Sequence, residues 1–241
     1  MRCLLQFCIL FPALLAASAA DVQSLVTTLM NHEQELKGVP FREVIYAASG
    51  KRVLPLNATN AADRELLSKI GSALDKVMLK LNAPDSPAKT RRRINEVSAL
   101  FETAIKAELN AIEGFECDSP KLASGARQRA GYPDLRLADK KTSRVLYLDP
   151  KLYESTGRAS SLRTFYYEPK RETNKVLDDA HHLIIGFEHD GKTGAWKFLN
   201  WELVDLADFR VNLKAEFQAS NRELYRPEAI VAGSRTNSSG K

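Results

Sequence analysis

GYPDLRLADKKTSRVLYLDPKLY, residues 131–153, decides the reading of this chain. Two short runs with alternating apolar residues flank a lysine-rich turn, the pattern of two strands joined as a hairpin. Asp134 stands at the outer end of the first run, and Asp149 and Lys151 at the outer end of the second. Carboxylates and lysines are poor strand formers, so their placement needs a reason. With the turn centred between Lys141 and Thr142, residues whose numbers sum to 283 face each other, and Asp134 then faces Asp149. Directly opposed cross-strand residues have Cβ atoms about 5 Å apart, where like charges destabilise. The arrangement calls for a cation.

A divalent ion meets that need. Mg²⁺ takes carboxylate and carbonyl oxygens and keeps several waters that a substrate phosphate can replace. Asp149 and Lys151 are two apart on a strand and share one face. The carbonyl of Pro150 between them is a further candidate ligand, and Lys151 is placed to hold or help deprotonate a metal-acidified water. The chemistry so assembled is phosphodiester hydrolysis.

Pro133-Asp134, fourteen intervening residues, then Asp149-Pro150-Lys151 resembles the signature of the PD-(D/E)XK nucleases, the restriction-endonuclease-like superfamily. A helix ahead of the hairpin often supplies another glutamate in that family. Here the helical stretch ends in Ala111-Ile112-Glu113-Gly114-Phe115, similar to the junction in archaeal Holliday-junction resolvases, and Glu102 matches the expected place best, with Glu108 as runner-up and Glu96 turned to solvent. The resemblance covers roughly residues 90–205 and implies an α/β fold, a mixed β-sheet flanked by helices. It also implies Mg²⁺- or Mn²⁺-dependent cleavage of DNA, with Asp134, Asp149, Lys151 and Glu102 as the site. Two features depart from the commonest pattern: the second acid is Asp, and Pro150 lacks the ladder donor of a central strand.

The surroundings of the hairpin are basic. From Lys121 to Lys175 there are thirteen Lys or Arg against six Asp or Glu, a surplus of seven where the whole chain has +5. Such clustering is the footprint of a polyanion partner, and Arg127, Arg129, Arg158, Arg163, Lys170 and Arg171 are the candidate phosphate contacts. Tyr166 and Tyr167 beside Arg163 could stack on bases. One of them packed in the core and the other exposed is the ordinary expectation for neighbours on a strand. His181 and His182 would point to opposite faces of a strand, a poor geometry for a zinc pair; one packed and one exposed histidine is expected.

The N-terminus differs in character. MR followed by CLLQFCILFPALLAASAA has the layout of a secretory signal peptide, with cleavage after Ala19 or Ala20. An uncleaved anchor is the competing reading, disfavoured by Pro12, Gln6 and the small-residue end. Cleavage would leave an exported protein, periplasmic or extracellular, with no stable membrane association. Cys117 would then be the sole cysteine, which excludes an intramolecular disulfide and any CxxC zinc site and leaves a passive thiol.

Apolar stripes over DVQSLVTTLMNHEQELKGV and ADRELLSKIGSALDKVMLKLNA predict two helices, with FREVIYAASGKRVLPL mixed between them. A third helix is expected to open near Ser86 or Lys89 with Ile94, Val97, Phe101, Ile105 and Ile112 on one line. From Ser119 five strands are expected: YPDLRLAD, SRVLYLDPKLY, LRTFYYEP, HHLIIGFEHDG and WKFLNWELVDL, the last two joined by a hairpin turn at His189-Asp190-Gly191, followed by a strand and then a helix. The resulting organisation is a helical N-terminal portion over 21–85, a restriction-endonuclease-like core over 86–232 and a disordered tail over 233–241, one domain with a helical cap. No GxSxG, Walker loop or GxGxxG occurs, so serine-hydrolase, P-loop and dinucleotide readings have no support. The alternative to a nuclease is an exported, non-catalytic protein of the same fold that binds nucleic acid or another polyanion. Convergence of Asp134, Asp149 and Lys151 on one surface discriminates between the two.

Overall fold

The computed structural model describes residues 19–128, 130–162 and 164–232. Most of the expected leader and the whole of the expected tail lie outside them. Two compact units are present among the described residues: one within 38–211, and a smaller one formed by residues 19–37 with 212–232. The smaller unit contains α1 (Ala19–Glu35), whose Leu25 and Met30 are exposed, and a segment joined to its end by Leu213 N–H donating to the Leu36 carbonyl at 2.8 Å.

The larger unit begins with β1 (Val39–Pro40) and α2 (Phe41–Ser49). This second helix lies where the sequence reads as mixed. Phe41 and Ile45, four residues apart, are fully buried, and Gly50 closes the helix in the left-handed conformation at φ 68°. α3 (Ala61–Asn82) opens on Asn60, whose side chain accepts from the N–H groups of Ala62 and Asp63. Its stripe of Leu66, Ile70, Leu74, Val77 and Leu81 packs against α4 (Ile94–Asn110) through Val97, Phe101, Ile105 and Leu109. That shared core is why residues 61–82 belong to the main body and not to a separate cap. α4 starts later than expected, because a 3₁₀ turn occupies Pro87–Thr90.

Asn110 ends α4 and clasps the next element: its amide donates to the Cys117 carbonyl and its oxygen accepts from Cys117 N–H, both at 2.8 Å. β2 (Phe115–Asp118), too short to show a period in the sequence, is thereby fixed beside β3 (Leu135–Asp139). β4 (Arg144–Glu154), β5 (His181–His189) and β6 (Phe198–Asp205) complete a sheet of order β2-β3-β4-β5-β6. The β4–β5 pair is parallel and the others antiparallel, so the sheet is mixed, as expected of a restriction-endonuclease-like core. β7 (Arg210–Val211) pairs with β1, and in the smaller unit α5 (Asn221–Leu224) opens on a capping box of Ser220 and Glu223.

Alternate residues of the strands feed two cores. Leu135, Leu137, Leu146, Leu148, Leu183, Ile185 and Phe187 face α3 and α4, while Val145, Tyr147 and Ile184 face Phe41 and Ile45 of α2. Both faces of β5 are therefore covered, and this overturns the expectation of one exposed histidine: His181 and His182 are both buried. They do point apart, His181 to the Leu54 carbonyl at 3.0 Å and His182 to the Tyr132 hydroxyl at 2.7 Å.

Two further expectations fail. The segment LRTFYYEP forms no strand among its described residues; Phe165 and Tyr167 instead pack edge-on against Phe41, so side chains hold this stretch and no backbone ladder does. Tyr166 is exposed beside it. The β5–β6 link is a longer loop than a tight turn at residue 190, because Asp190 N–H bonds to the Lys197 carbonyl and β6 begins only at Phe198.

Phe101 marks the centre of the larger core: it is fully buried, with ring centroids 4.2 Å from Phe187 and 4.7 Å from Phe198. Phe101→Ala is expected to lower stability by about 3–5 kcal/mol, read from the urea midpoint at unchanged slope. A loss below about 1 kcal/mol would mean that the helix and sheet do not share this core.

Candidate active site

The hairpin has the register that brings the two acids together. Leu135 pairs with Leu148 and Asp139 with Arg144, so Asp134, one residue before β3, stands opposite Asp149. Four turn residues separate the strands, and Asp139 ties the turn by accepting from Lys141 N–H at 3.0 Å and from the Thr142 hydroxyl at 2.7 Å. β3 stops at Leu135, so from Asp149 onward β4 is laddered to β5 alone. Pro150 lies in this half, where one side of the strand has no ladder and a missing N–H costs no hydrogen bond on that side.

Asp149 is 2% exposed, and the Lys151 ammonium stands 2.5 Å from its Oδ2. No donor is aligned on that oxygen, so the ion pair offsets its charge without satisfying its lone pairs. Asp134 is in hydrogen-bonding contact with Asp149, and burial, then the Asp149 charge, pushes its carboxyl up to about 7, opposed by Lys151. Two carboxylates at such spacing cannot both ionise freely, so without a metal the pair holds a proton. A buried carboxylate oxygen without a donor, beside a carboxyl that keeps a proton for want of positive charge, fits a hard divalent cation.

Glu102 lies on α4. α4 packs on the opposite face of the sheet from Asp149, and among the described residues no three His, Cys, Asp or Glu side chains gather at metal-holding spacing. The charge of Glu102 acts on Asp134 and on Lys175. Glu108, the runner-up, is consumed by an ion pair with Lys80, and Glu96 is exposed.

Two residues that the sequence did not single out lie beside the acids. Lys175 is 3% exposed and donates to the carbonyls of Gly131 at 2.6 Å and Pro133 at 3.2 Å, directly ahead of Asp134. Tyr132, also buried, has its hydroxyl 2.7 Å from Nδ1 of His182. Burial lowers the His182 ring to about 3, so it is neutral here. Lys175 was one basic residue among thirteen, with no local signal to separate it from the rest. Cys117 is buried, and burial pushes its thiol up to about 12, which makes it inert as a nucleophile.

The expected phosphate contacts divide. Arg127 pairs with Asp118 at 2.8 Å, Arg158 grips both oxygens of Glu202 at 2.7 and 2.8 Å, and Lys170 pairs with Glu168 at 2.7 Å. These charges are partly neutralised within the chain. Arg171 is exposed and makes no ion pair among the described residues, and Arg129 and Arg163 lie outside the described residues.

The sign of the pH response follows from counting protons. Between about pH 4 and pH 7 the folded Asp134 keeps a proton that the unfolded chain has released, so this group withdraws stability as pH rises. In EDTA at about pH 8, Asp134→Asn is therefore expected to be more stable than wild type by roughly 1–3 kcal/mol, the advantage shrinking towards pH 4. Denaturation at the two pH values measures it, and a difference independent of pH would show that the two carboxyls do not interact.

A sequence profile described as the Type II restriction enzyme MjaV family matches residues 34–228. The chain is also 28% identical over 221 residues to the type II restriction enzyme MjaV of Methanocaldococcus jannaschii, an alignment spanning 88% of this chain and 94% of that protein. The match runs through both halves of the hairpin, α4 and the segment carrying Lys175, and on that extent the chain belongs to the type II restriction enzyme MjaV family.

Proposed function

We propose that this chain is a metal-dependent DNA endonuclease of the PD-(D/E)XK type that hydrolyses phosphodiester bonds at Asp134, Asp149 and Lys151. The observation that carries the reading is the contact of the half-buried Asp134 with the buried Asp149, with Lys151 on the same strand face and no donor aligned on Asp149 Oδ2. Family membership supports DNA as the substrate, since the archaeal relative is a type II restriction enzyme. A non-catalytic binder would have no use for two carboxyls held in contact, because their mutual repulsion weakens the fold and repels an anionic ligand.

Asp134 and Asp149, with the Pro150 carbonyl, would hold Mg²⁺ or Mn²⁺. Bound there, the ion supplies positive charge at the scissile phosphate and lowers the pKa of a water near it. Lys151, half-exposed next to the buried Asp149, donates to the attacking water and orients it towards phosphorus. Release of the Asp134 proton clears both carboxylates for the cation. Arg171, exposed and unpaired among the described residues, is available to a DNA phosphate, whereas Arg127, Arg158 and Lys170 must first exchange an internal partner.

Lys151→Ala and Asp134→Asn are each expected to lower plasmid cleavage by at least a hundredfold while DNA affinity stays within about threefold, and EDTA should abolish cleavage by the wild type. Full Mg²⁺-dependent activity in both variants would refute the assignment. Export is a separate proposal, resting on the composition of residues 1–20. The intact mass of the protein recovered from its own cells is expected to correspond to a chain starting at Ala20 or Asp21, and a chain that retains the leader would overturn it.

A further inference from the structure

We propose that Lys175 is the positioning cation of this site, holding the peptide that presents Asp134 and supplying the positive charge that lets the two aspartates stand together before a metal arrives. The inference rests on the reading of Asp134 and Asp149 as the reacting pair.

Its geometry is unusual for a lysine. The side chain is 3% exposed, and lysine is almost never so buried without a compensating partner. Its ammonium donates to two carbonyls, those of Gly131 and Pro133, which bracket Tyr132 and immediately precede Asp134. Any shift of this amine moves the start of β3 and with it the Asp134 carboxyl. Three acids act on it through space, namely Asp134, Asp149 and Glu102, the same three groups that the sequence assigns to the site.

The segment that delivers Lys175 is itself immobilised. Asn174 accepts from Val176 N–H at 2.9 Å and donates to the Ala48 carbonyl of α2 at 3.3 Å. The Tyr147 hydroxyl, on the same face of β4 as Asp149, accepts from Leu177 N–H at 2.8 Å and donates to Asp178, which in turn grips Arg136 of β3 at 2.8 and 2.9 Å. The segment carrying the lysine is therefore held to α2 on one side and to β4 and β3 on the other; β4 carries Asp149 and β3 begins directly after Asp134. Such bracing serves position, because a surface lysine that merely balanced charge would not need it.

Lys151 cannot take over this part. It lies on β4 and forms its ion pair with Asp149, with about a third of its side chain exposed, and among the described residues it makes no bond to the peptide ahead of Asp134. Lys175 holds the peptide immediately ahead of the other acid.

A mutant cycle in EDTA, without DNA or metal, tests the charge. Lys175→Gln keeps donors for the two carbonyls and removes the charge, and it should lower the melting temperature. The drop is expected to fall by at least half in an Asp149→Asn background, and Lys175→Arg should recover part of it. A second readout is the rise in melting temperature on adding Mn²⁺, which should be larger in Lys175→Gln than in wild type because the ion replaces the missing charge. In cleavage, Lys175→Gln should lose at least tenfold in kcat with KM for DNA within twofold. An equal drop in both backgrounds, or wild-type kcat in Lys175→Gln, overturns the proposal. Absence of cleavage by the wild type refutes the nuclease reading and not this one, since the EDTA cycle decides Lys175 without catalysis.

Discussion

Two carboxyl groups facing each other across the end of a hairpin are the constraint on which the rest of this site depends. Asp134 and Asp149 meet because Leu135 pairs with Leu148, and that register is fixed by alternation: a slip of one residue would turn Leu135, Leu137, Leu146 and Leu148 out of the core between the sheet and α4. The hydrophobic effect on one face thus enforces an electrostatic conflict on the other. Burying each of those leucines contributes about 1.5–3 kcal/mol, enough together to hold a pair of like charges in contact. Positive charge is then arranged around the pair, from Lys151 along β4 and from Lys175 across the strands.

The place of Pro150 follows from the same hairpin. Because β3 ends at Leu135, the strand bearing Asp149 and Lys151 runs on with a ladder on only one side. Proline in a fully paired central strand would forfeit a hydrogen bond, whereas here it follows the point where β4 leaves its first neighbour. The parallel β4–β5 pairing places His182 behind the site, where burial keeps its ring neutral and the Tyr132 hydroxyl engages it. No charge is added on that side.

Legibility in the sequence followed the range of the interactions. Period-two alternation in LRLAD and RVLYLD gave the hairpin, a 3.6-residue stripe gave α3 and α4, and together they led to a mixed sheet flanked by helices. α2 escaped because its buried face consists of Phe41 and Ile45 alone within nine residues, too few to establish a period. LRTFYYEP misled for the converse reason: it alternates like a strand, yet its aromatic residues are held by Phe41, and a sequence pattern does not say which partner satisfies it. The basic cluster was legible as a count and not as a surface, since Arg127, Arg158 and Lys170 each find a carboxylate inside the fold.

Sequence by itself determined the local terms: the strand and helix periods, the turn that sets the register, and the juxtaposition of Asp134 with Asp149 and Lys151 across the hairpin, all separated by few enough residues for local geometry to relate them. Tertiary structure alone decided what depends on distant segments. It set α4 against the leucine face of the hairpin, where the charge of Glu102 reaches Asp134, and it brought Lys175, some forty residues beyond Asp134, to the carbonyls of Gly131 and Pro133 just ahead of that acid. The reason is physical. A register is enforced by neighbours in the chain, whereas the burial of Lys175 is enforced only when segments distant in sequence close around it.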